Sequence, residues 1–133
     1  MCNLYNEPFR MITNFEEITK DLNDDEKKLI PIIIKSLKKY TKSNPIREPE
    51  IVKGINENKD RLNLKNKFTG VRLRKLINFI RSNAMLPVIG TSKGYYVTDD
   101  HNEVMKQIKS MKERNNQVQR AINGLEQYLM KNI

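Results

Sequence analysis

Between Arg61 and Thr98 the chain carries eight Lys and Arg residues and not one Asp or Glu. That block alone holds +8 of a formal net charge of +9, so the residues on either side nearly balance. Positive charge gathered in this way repels itself unless an anion meets it, whereas a solubilising surface mixes both signs. The chemistry it points to is a polyanion partner. At about 100° per residue, Lys75, Asn78 and Ser82 fall on one side of a helix with Val71. Arg72 flanks that side on one edge, Arg74 and Arg81 on the other. Guanidinium and ammonium groups meet phosphates or guanine, and an amide can pair bidentately with adenine, so this row suits a nucleic-acid groove. The same face could serve as the solvated side of an ordinary amphipathic helix; the missing acids favour nucleic acid.

Catalytic chemistry has much less to build on. The single histidine, His101, falls in the first turn of the last helix beside its cap, a surface position rather than that of a base or ligand. There is no Cys/His cluster for zinc, and no phosphate loop, since Gly90 to Gly94 lacks the following helix that motif needs. Asp24, Asp25, Glu26, Asp99 and Asp100 sit at helix starts, where the dipole accounts for them. Glu57-Asn58-Lys59 is a fragment of a nuclease-like pattern without a partner aspartate on a preceding strand. The expectation is a protein that is not an enzyme and holds no cofactor and no metal. One cysteine, Cys2, cannot form an internal bridge, which fits a reducing cytoplasm. The longest apolar run, Leu29 to Ile34, is six residues and includes Pro31, far short of a membrane span, and the N-terminus has no secretory pattern.

The basic face needs elements to hold it. Thr69 can cap a helix that runs to about Asn83, with Leu73, Leu76, Ile77, Ile80 and Ala84 on its core stripe. Before it, residues 1 to 22 scatter Phe9, Met11, Ile12, Phe15 and Ile18 through a polar arm with at most a short helix, Asn14 to Leu22. A second helix starts at an Asn23 or Asp24 cap, has Asp25 and Glu26 in its first turn, and carries Leu29, Ile30, Ile33, Leu37 and Tyr40 on one stripe. Lys38, Lys39 and Lys42 lie near its end, Pro31 should kink it, and Ser43-Asn44-Pro45 stop it. Ile46 and Arg47 suit a very short strand. Another helix starts near Pro49 and continues through Ile51, Val52 and Ile55, weakened slightly by Gly54. Asn56 to Phe68 is a polar connection with room for a helical turn around Leu62 and Leu64. After the basic helix, Leu86 to Ile89 and Tyr95 to Val97 are β-type runs separated by Gly90 to Gly94, a hairpin signal with Pro87 at an edge.

Helix, short extended piece, helix, basic helix and hairpin, in that order from Asn23 to Thr98, resembles the winged helix-turn-helix. Phe68 to Arg81 (FTGVRLRKLINFIR) and Thr91 to Val97 (TSKGYYV) are similar to segments of small phage- or prophage-encoded winged-helix proteins. The resemblance implies a mainly α fold with a minor β part, in which the basic helix enters the major groove of double-stranded DNA and the hairpin lies along the backbone. Arg72, Arg74, Lys75 and Asn78 would then meet base edges, and Ser92 and Lys93 would occupy the wing tip. Phosphate contacts would come from Lys65, Lys67, Arg81 and Lys93. The implied role is a small phage-type transcription regulator or accessory factor acting by occupancy. The alternative is a winged helix that docks on protein without binding DNA.

From Asp100 the character changes. Asp100 and Glu103 have the spacing of a capping box, and a long proline-free stretch follows. Val104, Ile108, Met111, Asn115, Val118, Ile122, Leu125 and Leu129 recur at alternating intervals of four and three, a heptad seam with Ile108, Asn115, Ile122 and Leu129 at a positions and Met111, Val118 and Leu125 at d positions. A helix of about 30 residues extends about 45 Å, more than a small domain can cover. A single Asn at an a position favours a parallel two-stranded coiled coil, since two amides can bond across the seam. The expectation is a homodimer joined by residues 99–133, with 23–98 as the winged-helix domain and 1–22 as an arm. Gly124 and the lack of complementary charges at Gln107, Lys112, Arg114, Gln119, Ala121 and Glu126 leave open a helix folded back on its own domain or awaiting another protein.

Overall fold

The computed structural model describes residue 19 and residues 21–132. The expected arm and its short helix lie outside the described residues except at Thr19, Asp21 and Leu22, where a turn closes by a Leu22 N–H to Thr19 carbonyl bond of 2.8 Å. The described chain is mainly helical, with one two-stranded antiparallel sheet and a long C-terminal helix. None of its helices is long and apolar enough to cross a membrane.

Helix α1 spans Asp24–Leu37. Asn23 caps it reciprocally: Asn23 Oδ1 accepts the Glu26 N–H at 2.8 Å, and Glu26 Oε1 accepts the Asn23 N–H at 3.0 Å. Leu29, Ile30, Ile33 and Leu37 form its buried stripe. It ends before Tyr40, three residues short of the expected stripe, because Lys39 and Tyr40 make tightened bonds to the carbonyls three residues back. The helix continues through Pro31, whose ring lies on the exposed side where water can meet the carbonyl freed by its missing N–H.

Ile46 bridges Tyr95 in both directions, at 2.9 and 2.7 Å, so the expected short strand is a single bridge on the edge of the hairpin. Helix α2, Glu48–Glu57, has Pro49 in its first turn and buries Ile51 and Ile55. The long connection to the basic helix is held by its polar residues. Asp25 accepts the backbone N–H groups of Lys65 and Asn66 at 2.9 to 3.0 Å, and the Asn56 amide makes two bonds of 2.9 Å to the backbone of Phe68. Leu64 and Phe68 are thereby delivered to the core.

Helix α3, Gly70–Ser82, is capped by Thr69 and buries Leu73, Leu76, Ile77 and Ile80. Ala84, expected on that stripe, is exposed in the left-handed region at φ 52°. It is the turning residue of a Schellman ending, in which the Met85 N–H reaches the Ile80 carbonyl and the Ala84 N–H that of Arg81. Strands β1, Val88–Thr91, and β2, Gly94–Val97, pair from Val88↔Val97 to Thr91↔Gly94. The turn is therefore Ser92-Lys93 alone, and Gly90 belongs to the strand rather than to a five-residue loop. Gly94 has φ 131°, and a Cβ there would run into the Ile46 carbonyl, so glycine allows the bridge between the two segments.

Helix α4, His101–Lys131, has Asp100 Oδ1 accepting the Asn102 N–H at 2.9 Å. The expected capping box does not close. Glu103 turns its carboxylate to the domain, accepting the Tyr96 hydroxyl and, at 3.0 Å, Lys42 Nζ. Gln107 Oε1 accepts the Gly90 N–H at 3.1 Å. These bonds fasten the first two turns of α4 to the domain, the next two run alongside it as far as Arg114, and no residue of the helix is buried.

Candidate nucleic-acid interface

The outer side of α3 is formed by Val71, Lys75, Asn78 and Ser82, all exposed, and Val71 is 69% exposed although apolar. The four hydrophobic residues on the opposite side hold this face outward. Its cations are not bare. Lys75 Nζ lies 3.0 and 3.2 Å from the two oxygens of Glu26, and Arg74 Nη1 lies 2.8 and 2.9 Å from those of Glu48. The absence of acids within the block is thus a local property of the chain, and folding brings carboxylates from α1 and α2 to two of its central residues. Glu26 is buried; burial opposes its charge, yet the Asn23 N–H and Lys75 prevail and hold its carboxyl below the ordinary range. Asp25 follows the same balance, with the Lys65 and Asn66 N–H groups outweighing burial.

The remaining basic residues divide by environment. Arg72 is half-buried, close enough to Glu26 to favour its charge. Lys65 approaches Asp24 at 3.7 Å, but both side chains are more than 70% exposed, so this pair contributes little. Lys67 is exposed, and Ser92 and Lys93 form the exposed hairpin turn. Arg81 is half-buried, and its Nε donates to the Val88 carbonyl at 3.0 Å. Burial pulls its guanidinium below the ordinary value, and Arg114 adds to that.

On the Arg74 and Arg81 edge of α3, the hairpin and α4 enclose a groove of about 710 Å³. Arg47 and Arg114 join Arg74 and Arg81 in its lining, against one carboxylate among the described residues, that of Glu48. Tyr95 also lines it; burial raises its hydroxyl above the ordinary range, with Glu48 adding to the effect. Arg47 precedes the basic block and Arg114 follows it, so neither carries a local signal; only the register of α4 against β1 brings Arg114 in.

The heptad seam divides in two. Val104 is half-buried, and Val104, Ile108 and Met111 line an apolar recess with Leu86, Val88 and Ile89 of the same chain. Asn115, Val118, Ile122, Leu125 and Leu129 are exposed and free of the rest of the described residues, with Leu125 and Leu129 68% and 62% exposed. Among the described residues no group of three or more His, Cys, Asp or Glu is placed to hold a metal, and His101 is exposed. The chain matches no family model, and neither curated proteins nor solved structures give a match.

Proposed function

We propose that the chain is a winged helix-turn-helix protein that binds double-stranded DNA with specific or semi-specific readout, as a cytoplasmic, phage-type regulator or accessory factor without catalytic activity. The observation that carries this reading is the outward face of α3, with Lys75, Asn78 and exposed Val71 on one helix and the Lys93 turn on the neighbouring hairpin. Asn78 and Val71 supply an amide for adenine and an apolar contact for a thymine methyl. Lys67, Lys93 and Arg72 supply further cationic contacts, and Arg74 and Lys75 join by exchanging their carboxylates for DNA. The free apolar positions of α4 from Asn115 onward support a parallel homodimer, so a specific site is an inverted repeat with half-sites about one helical turn, or a multiple, apart. The test is the salt dependence of duplex binding. With four or five phosphates neutralised at ~0.9 each, log affinity falls against log salt with a slope of about −4, and a flat response refutes DNA binding. One observation favours a second reading, docking on protein: the glutamates already paired with Arg74 and Lys75 leave α3 less cationic than its sequence.

A further inference from the structure

The geometry points to a phosphate-binding site in the groove between α3, the hairpin and α4, apart from the outer face of α3, that takes the phosphoryl group of a nucleotide. Among the described residues four arginines line it against one carboxylate, and that carboxylate is already chelated through both oxygens by Arg74. Arg47 and Arg114 have no ion pair among the described residues. Arg81 is the fixed member: its Nε is pinned to the Val88 carbonyl, and its Nη2 lies 3.3 Å from where a Cβ on Gly90 would stand. A pinned guanidinium presents its remaining N–H groups without losing further freedom, and its fork matches two phosphate oxygens.

The rest of the lining selects a nucleotide over a bare anion. Tyr95 is half-buried and lines the groove beside Gly90, and the exposed part of its ring offers a base an aromatic contact. Gln107 is oriented by accepting the Gly90 N–H, which leaves its amide N–H groups without a partner among the described residues and able to donate to a sugar hydroxyl. The volume of about 710 Å³ is that of a small-molecule site. A free nucleotide and one residue of a nucleic-acid strand present the same chemistry there. The free-nucleotide case stands without the duplex reading.

The experiment uses the full chain, following the Arg81 Nε–Hε resonance while inorganic phosphate, a nucleoside 5′-monophosphate, a single-stranded hexanucleotide and a duplex are added in turn. Phosphate should move the Arg81 signal, and the monophosphate should bind more tightly than phosphate because its base adds a contact with Tyr95. Arg114→Gln and Arg47→Gln, exposed positions on different elements, should each weaken the monophosphate by about tenfold, the loss of one charge-assisted bond. Asn78→Ala should leave that titration unchanged while reducing duplex discrimination, which separates failure of this site from failure of the α3 reading. A hexanucleotide more than about tenfold tighter than the monophosphate assigns the site to a strand, and equal affinities assign it to a free nucleotide. An Arg81 signal that no probe moves, or arginine variants that bind every probe as the parent does, overturns the site.

Discussion

Glu26→Gln should make the protein less stable and its duplex binding tighter. The carboxylate is 5% exposed and serves two partners, the Asn23 N–H and Lys75 Nζ. Glutamine keeps an oxygen for the cap but loses the charge that faces Lys75. A hydrogen bond to a charged group contributes about 1.5–3 kcal/mol, and Lys75 is half exposed, so the discounted loss is about 1–3 kcal/mol. For a domain of this size the melting temperature falls by about 5–15 °C. The difference depends on pH. The Glu26 carboxyl is held below its ordinary 4.5 in the folded chain, so its stabilising contribution is present above 4.5 and is lost as pH falls through the lowered value. Parent and variant should therefore converge in acid. In binding, Lys75 no longer has to leave Glu26, so the duplex binds about tenfold more tightly, the equivalent of about 1.4 kcal/mol of the broken pair, while the salt slope of about −4 is kept. Calorimetry and fluorescence anisotropy on the same preparations measure both. Lower stability with unchanged affinity would refute the placement of Lys75 against DNA.

Gly94→Ala should cost about 2–4 kcal/mol in a denaturant titration, because it combines an unfavourable φ of 131° with a collision against the Ile46 carbonyl. Gly54→Ala, at a helical position with nothing within 4 Å of the new Cβ, should stabilise by about 0.5–1 kcal/mol in the same assay. Tyr96 is pushed up to about 12, first by burial and then by its bond to Glu103. Its contribution is complete below pH 10 and is lost as pH rises toward 12, so one tyrosine should ionise late in an ultraviolet titration and Tyr96→Phe should remove that step. Asn115→Ile should raise the stability of the α4 pair and broaden its stoichiometry, as read by sedimentation equilibrium; a parent chain that stays monomeric at high micromolar concentration ends the dimer and the inverted repeat together.

Much of the scaffold is legible in the residues, because caps and stripes coincide: Asn23 ahead of Leu29, Ile30 and Ile33, and Thr69 ahead of Leu73, Leu76 and Ile77. Ends are less so. Ala84 has no intrinsic preference for the left-handed region, so its place in a Schellman ending follows from Met85 reaching Ile80. The hairpin boundaries shift because glycine at both ends of Gly90–Gly94 suggests a loop, while the pairing of Ile46 with Tyr95 requires Gly94 within a strand. Glu103 has the spacing of a capping residue, yet a buried Tyr96 hydroxyl and Lys42 compete for its carboxylate. The candidate interface is the least legible part, since the partners of Lys75 and Arg74 are 49 and 26 residues away in the chain. Charge counted along a sequence does not include such long-range pairing.

The clip between Gly90 and Gln107 gives α4 the properties of a crankshaft. The helix is fastened to the hairpin at Gln107 and is unbroken from there to Lys131, so the azimuth of the domain is locked to the azimuth of every later side chain. In the proposed homodimer, one residue inserted between Gln107 and Asn115 would turn each domain about 100° around the seam, and seven residues would restore its heading to within about 20°. The heading of one domain against the other would thus be set by helical phase within α4, away from the face of α3 proposed to meet DNA.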